Sequence, residues 1–264
     1  MIDLHSHILP GIDDGAPTLE VALEMARLAV GDGIRTMACT PHIYPGLYMN
    51  DAPGIATARV ALQRELDARG IGLQLVSGAD VHLVPGLLEG LRGGTIPTLH
   101  GSRYLLLEPP HHVAPPRFAE SVRQLMMADY VPVITHPERL SWIETHYKVF
   151  VELVGQGAWM QVTAGAVAGH FGQRPRYWGE KFLGEGHTHI LATDAHASSG
   201  RIPCLSQGRV VAERLLGADE ARRLVQERPQ AIVDNLAPNA CPLPPRSEAP
   251  RSWWQRLWPG RGEA

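Results

Sequence analysis

A chain of 264 residues, 44% of them apolar, is long enough for one large α/β domain with a sizeable core. A net charge of −3 with histidines neutral argues against the basic face that a duplex nucleic-acid binder needs, so no nucleic-acid partner is expected. Three cysteines (Cys39, Cys204 and Cys241) with no Cys-x-x-Cys spacing argue against a disulfide framework or a thiolate zinc site. No basic-then-apolar leader and no run of 18 apolar residues occurs, so the expected compartment is the cytoplasm.

Short apolar runs alternate along the chain with longer segments of helical period, the rhythm of repeated βα units. The strand candidates are Ile2–Leu4, Thr36–Thr40, Leu73–Ser77, Tyr104–Leu107, Val131–Thr135, Trp159–Thr163 and His189–Thr193. Thr18–Asp32 reads as the first helix, with Thr18 as N-cap and Glu20 in the first turn. Ala52–Arg69 is the second, stopped by Gly70. Arg117–Asp129, Ser141–Gly155, Arg209–Leu216, Asp219–Arg228 and Pro229–Asn235 are the later helix candidates. Seven such repeats fit a barrel-like parallel sheet or an open doubly wound one, and the strand count favours the barrel.

From Ala237 the texture changes, which sets a domain over 1–236 and a Pro-, Arg- and Trp-rich tail over 237–264. Six prolines between Pro238 and Pro259 punctuate this tail, a composition that cannot bury a core and is expected to be flexible. Within it, Ser252-Trp253-Trp254-Gln255-Arg256-Leu257-Trp258 reads two ways. It suits an interfacial anchor on a membrane or a partner, or else a functionless apolar end or one that folds back on the domain.

The chemistry lies at the carboxyl ends of the strands. His5-Ser6-His7 ends the first, with Asp13-Asp14-Gly15 close behind. Thr40-Pro41-His42, Gly78-Ala79-Asp80-Val81-His82, Glu108-Pro109-Pro110, Thr135-His136-Pro137-Glu138-Arg139 and Thr193-Asp194-Ala195-His196 end five others. Six of seven strands thus deliver His, Asp or Glu at the carboxyl end, the face where α/β barrels carry their sites. One His or Asp at a strand end is usually a cap or surface residue; recurrence on one face points to metal. Imidazole and carboxylate donors without thiolate suit Zn²⁺, Mn²⁺ or Fe²⁺. Such a centre acidifies a bound water and clamps a transferring group, so phosphoester hydrolysis is the natural reaction.

These residues carry a resemblance. HSHILPGIDDGA near the amino terminus, then TPH, GAD, LLLE, ITHPER and ATDAH, are similar in order and spacing to the polymerase-and-histidinol-phosphatase (PHP) superfamily, over roughly residues 1–236. More narrowly, the chain resembles the bacterial capsule and exopolysaccharide tyrosine phosphatases of the CpsB/CapC type. The resemblance implies a distorted seven-stranded (β/α)7 TIM-like barrel and a three-metal centre, usually manganese, with Fe or Zn as alternatives. It implies His5, His7 and Asp194 on the first metal, and Asp80 bridging to a second held by Glu108 and His136. Asp14, His42 and His196 would hold the third. Arg139 would face the substrate phosphate; Arg201, just after the Asp-Ala-His motif, is a second candidate, and each otherwise reads as a helix-end surface residue. At the bridging position the family usually has Glu, one methylene longer than Asp80. His82 could compensate, but reads more simply as a loop or surface histidine. Glu138 either orients Arg139 or caps the next helix.

The function implied is a metal-dependent protein-tyrosine phosphatase acting on an autophosphorylating tyrosine kinase of polysaccharide export. The thiolate route does not fit: Cys-x5-Arg would require Arg where Val210 stands. Competing readings are a small-molecule phosphatase of the histidinol-phosphatase type, a nuclease-like phosphoesterase, and a metal-stabilised binding module without chemistry.

Overall fold

The computed structural model describes residues 1–245. Every expected strand is present: β1 (Ile2–Asp3), β2 (Thr36–Cys39), β5 (Gln74–Ser77), β7 (Tyr104–Glu108), β8 (Val131–Thr135), β9 (Trp159–Thr163) and β10 (Ile190–Ala192). Three short strands are additions to the sequence reading: β3 (His42–Tyr44), β4 (Tyr48–Met49) and β6 (Asp80–His82). β3 and β6 continue β2 and β5 after breaks at Thr40-Pro41 and Gly78-Ala79. Both breaks hold a residue that interrupts a ladder, proline by lacking an N–H and glycine by packing nothing.

The strands form two sheets, β1-β2-β5 and β10-β9-β8-β7-β6-β3-β4. All pairings are parallel except the β3–β4 hairpin. A parallel bridge between Ser6 and Ala195 links the continuation of β1 to that of β10. The chain is therefore a mixed α/β domain with a mainly parallel sheet.

The helices arise from their caps and apolar faces. Helix α1 (Leu19–Gly31) starts where Thr18 accepts the Val21 amide, and buries Ala22, Met25, Ala26 and Ala29. Helix α2 (Ala52–Ala68) starts at Asp51, which accepts the Gly54 amide. Then come α3 (Leu87–Arg92), α4 (Phe118–Met127), α5 (Ile143–Gly155), α6 (Ala164–Val167), α7 (Gln173–Gly184), α8 (Ser206–Leu216), α9 (Ala218–Arg222) and α10 (Arg228–Val233), the last two joined by a π-helical turn. Helices α3, α6 and α7 are absent from the sequence reading. Helix α7 has Pro175 within its first turn and a largely polar exposed face, which hides its period. Helix α8 takes its cap from afar: Asp32 accepts the amides of Leu205 (2.7 Å) and Ser206 (3.0 Å).

Alternation along the strands sorts the core. Ile2, Leu4, Ala38, Val76, Leu106, Val133, Trp159 and Ile190 share one apolar cluster between the two sheets. Their neighbours Met37, Leu75, Leu105, Ile134, Met160 and Leu191 pack with the helices. Continuing the first set by twos leads from Ala38 to Thr40 and His42, from Val76 to Asp80 and His82, from Leu106 to Glu108 and from Ile190 to Asp194. The inward face is apolar at its base and rich in His, Asp and Glu at its carboxyl rim.

Past the expected boundary at 236, residues 237–245 lie against the domain. Pro242 O accepts from Arg228 Nε (2.7 Å), and Cys241 is buried. The Trp-rich segment Ser252–Trp258 lies outside the described residues.

One buried group makes acid stability predictable. His189 is buried and stacks on Trp159 (4.8 Å between centroids), and its Nδ1 accepts the Met160 amide (3.1 Å). Burial, helped by Arg228, lowers its pKa to about 3. A lowered histidine stabilises the fold above its unfolded value near ~6.5, and that contribution is lost as pH falls towards 3. In chelator, the urea midpoint is expected to drop below pH 6.5, and His189→Gln to flatten that slope by up to about 1.4 kcal/mol per pH unit. Equal slopes in the two proteins would contradict this.

Candidate metal centre

The structure brings all nine expected ligand residues to the carboxyl rim. His5, His7, Asp80, Glu108, His136, Asp194, His42 and His196 are buried, while Asp14 is half-exposed at the mouth. Donor atoms lie within 4.8 Å of one another in five groups: His7/Asp14/His42/His196, His5/His7/Asp80, His5/His136/Asp194, His42/His82/Glu108 and Glu108/His111/His136.

Local backbone conformation aims several of these side chains. His136 (φ 33) and Asp194 (φ 51) occupy the left-handed region, rare for non-glycine residues, and turn sharply where their strands end. Gly15 closes the first loop on His7. A Cβ there would lie 2.0 Å from the His7 carbonyl oxygen, so the Asp-Asp-Gly segment accepts only glycine at its third position.

Three histidines are oriented by a second layer of polar groups. His5 Nδ1 donates to Gln161 Oε1 (3.0 Å), His7 Nδ1 to Asp13 Oδ2 (2.6 Å) and His196 Nδ1 to the Asp194 carbonyl (3.0 Å). Each is left presenting Nε2 to the cluster, as metal-binding histidines do. Their Nε2 atoms meet carboxylates: His5 lies 3.3 Å from both Asp80 Oδ2 and Asp194 Oδ1, His7 3.4 Å from Asp194 Oδ1, and His196 3.5 Å from Asp14 Oδ1.

The electrostatics are those of a cluster built around cations. Burial pushes the Glu108 and Asp194 carboxyls up, but their surroundings outweigh it. His111, His42 and His82 hold Glu108 far below the usual carboxylate range. His5, His7 and Arg139 do the same for Asp194. His196, His42 and His7 likewise overcome burial at Asp14. Burial opposes charge on His7, yet Asp13 and Asp194 raise it to about 10. Burial and the Arg139 charge lower His136. Four buried polar atoms of the cluster have no hydrogen-bond partner: His42 Nδ1, Asp80 Oδ2, Glu108 Oε2 and His136 Nδ1. Unpaired buried polar atoms are costly. Hard and borderline donors left unpaired and convergent fit divalent metal ions.

Both expected arginines are at the rim. Arg139, on the turn Pro137–Arg139 after β8, donates to Asp194 Oδ2 and lies over the Phe171 ring (5.0 Å). Arg201 Nη2 donates to the same oxygen (2.6 Å). Glu138 is buried, and its Oε1 accepts the amide of Thr163 at the end of β9 (2.9 Å), so it ties β9 to the turn after β8 and caps neither α5 nor α6. Burial raises its acid to about 7.

His82 corrects the sequence reading. It is neither loop nor surface: it sits on β6 with Nε2 2.5 Å from Glu108 Oε2. Sequence reasoning also passes over Asp13, His111 and Gln161. Asp13 is visible in Asp-Asp-Gly. Gln161 is visible as the one amide in the run Trp159–Thr163. His111 carries no signal, since only the loop after β7 brings its Nε2 to Glu108 Oε1 (3.1 Å).

Fold and cluster together define a class: an α/β protein with a histidine- and carboxylate-rich, metal-fitting centre at the carboxyl ends of mostly parallel strands. Within that class the family profile for capsular polysaccharide synthesis, CpsB/CapC, matches residues 1–234, and the chain belongs to this family. It is 34% identical to the tyrosine-protein phosphatase YwqE of Bacillus subtilis over 237 residues, 89% of this chain and 92% of that protein. It is 28% identical to the tyrosine-protein phosphatase CpsB of Streptococcus pneumoniae, over 88% of this chain and 98% of that one. A chain from the crystal structures of these two "unique metal-dependent tyrosine phosphatases" superposes with a TM-score of 0.86 at 31% identity, covering 94% of this chain and all of the other. Dihydropyrimidinase from Brevibacillus agri, at 11% identity and a TM-score of 0.55, is similar in fold alone.

Proposed function

We propose that the chain is a metal-dependent protein-tyrosine phosphatase. The observation that carries this is the convergence of nine His, Asp and Glu side chains from separate strand ends into overlapping donor groups, with two arginines beside them. The 34% identity to a tyrosine-protein phosphatase along most of the chain supports the reaction class. The strand order, with β2/β3 and β5/β6 each taken as one broken strand and the Ser6–Ala195 bridge as closure, supports a distorted seven-stranded barrel.

His5, His7 and Asp194 would hold one ion, Asp80 would bridge it to a second held by Glu108 and His136, and Asp14, His42 and His196 would hold the third. When bound, such ions supply a water nucleophile acidified to near-neutral pKa and charge to offset that of the phosphoryl oxygens. The chain's own residues do the rest. Asp13, Gln161 and the Asp194 carbonyl fix the tautomers of His7, His5 and His196. Arg139 and Arg201, converging on one Asp194 oxygen, offer guanidinium forks to phosphate. Manganese is the metal we favour. A tyrosine kinase of polysaccharide export is the partner we favour, supported by the family's link to capsule synthesis. Residues 1–236 would form the phosphatase domain, working in the cytoplasm, and 237–264 a tail for membrane or kinase contact. Among the described residues no helix is long and apolar enough to cross a membrane.

The test is hydrolysis by metal-stripped protein with Mn²⁺, Mg²⁺ or Zn²⁺ added back. Mn²⁺ is expected to restore turnover of both p-nitrophenyl phosphate and a phosphotyrosine peptide. Turnover of small phosphates alone would hand the site to a small-molecule phosphatase. No turnover with any metal would leave a binding module.

A further inference from the structure

Glu108 is enclosed by four imidazoles, two on each oxygen, and the two sides differ. On Oε1, His111 donates a hydrogen bond (3.1 Å) and so orients the carboxylate. On Oε2, His82 Nε2 comes to 2.5 Å and His42 Nδ1 to 3.3 Å. Glu108 Oε2 and His42 Nδ1 are left without a hydrogen-bond partner. Glu108 Oε2, His82 Nε2 and His42 Nδ1 thus converge, two of the three without a hydrogen-bond partner, as a donor set open to a shared cation.

The position of His82 is fixed by the sheet. The β6–β7 register sets His82 opposite Glu108, and the β3–β6 register sets His42 opposite Asp80. Residues paired across a parallel ladder point to the same face, so His82 joins Asp80 on the ligating rim. Its ring is held by Tyr44, stacked at 4.1 Å and 14°. Asp80 meanwhile leans the other way: its Oδ2 lies 3.3 Å from His5 Nε2 and 3.6 Å from His42 Nδ1. Of the two side chains on this face of β6, His82 is the one that meets Glu108 Oε2.

We propose that His82 is a further metal ligand of this centre, sharing an ion with Glu108 on its Oε2 side beside His42, and that Tyr44 holds its ring in place. The inference rests on the metal-centre reading above. An imidazole pair with a carboxylate is a donor set for Zn²⁺, Fe²⁺ or Mn²⁺. Among the described residues, His42, His82 and Glu108 have donor atoms within 4.8 Å of one another.

The test is metal binding. Metal-stripped full-length protein is titrated with Mn²⁺ against a chelating dye, for wild type, His82→Ala, His82→Gln and His136→Ala. Circular dichroism in chelator checks folding, and His82→Gln carries the comparison should His82→Ala unfold. Loss of His82 is expected to weaken one ion by about tenfold or more while the others stay, since even groups outside the coordination sphere are worth 10–100-fold. With Co²⁺ in place of Mn²⁺, the visible band is expected to shift in the His82 variants, and added imidazole to reverse the shift partly in His82→Ala. Unchanged affinity and an unshifted band, beside a loss in His136→Ala, overturn the role of His82 and leave the other ligands standing. No loss in any variant overturns both.

Discussion

Asp194→Asn is expected to lower turnover of p-nitrophenyl phosphate by about three orders of magnitude, ~4 kcal/mol in the barrier. Asp194 joins most of the centre: Oδ1 faces His5, His7 and His196, and Oδ2 accepts from Arg139 and Arg201. Its environment favours the anion at every working pH. An asparagine keeps the size and tolerates the positive φ of this position, so the backbone turn survives. The charge does not, and an amide is a poor ligand beside a carboxylate. Metal content by mass spectrometry is expected to fall with activity, while circular dichroism stays as in wild type. Turnover within tenfold of wild type would remove Asp194 from the centre.

Arg139→Ala is expected to cut kcat/KM for phosphotyrosine peptide by about 10²–10³, the range seen when one preorganised donor to a developing charge is lost. Metal stoichiometry should not change, because Arg139 meets the cluster only through the outer oxygen of Asp194. Arg139→Lys is expected to recover only part of the loss. Lysine restores the charge but neither the planar fork nor stacking over Phe171. Arg201 is more exposed, 33% against 15% for Arg139, so Arg201→Ala should cost less. Reduced metal content in Arg139→Ala would mean that the residue supports the ligands rather than the phosphate.

The candidate ligand residues are legible in the sequence because strand ends are local. A His-x-His or Asp-x-His after an apolar run is visible without knowing where the run lies, and its recurrence announces a common face. The split of the second and third strands is not legible. β3 and β6 are three residues each, and only pairing across the sheet makes them strands. That omission explains the misreading of His82: placed in a loop it has no fixed direction, while on β6 it must face Glu108. Helices α3, α6 and α7 escape the sequence because short or polar segments carry little periodic signal.

By itself the sequence determined the βα rhythm, the capped helices α1 and α2, the donor types at each strand end and the lack of a Cys-x5-Arg loop. These come from period, cap chemistry and residue type, which are properties of neighbours in the chain. Only the tertiary structure decided which donors converge, which nitrogen His5, His7 and His196 present, and that Gln161 and Asp13 back those histidines while His111 reaches Glu108. Those outcomes depend on ladder register and on atoms as far apart in sequence as His5 and Gln161 meeting at 3.0 Å in a buried rim. There an unpaired polar atom is costly enough to fix its partner.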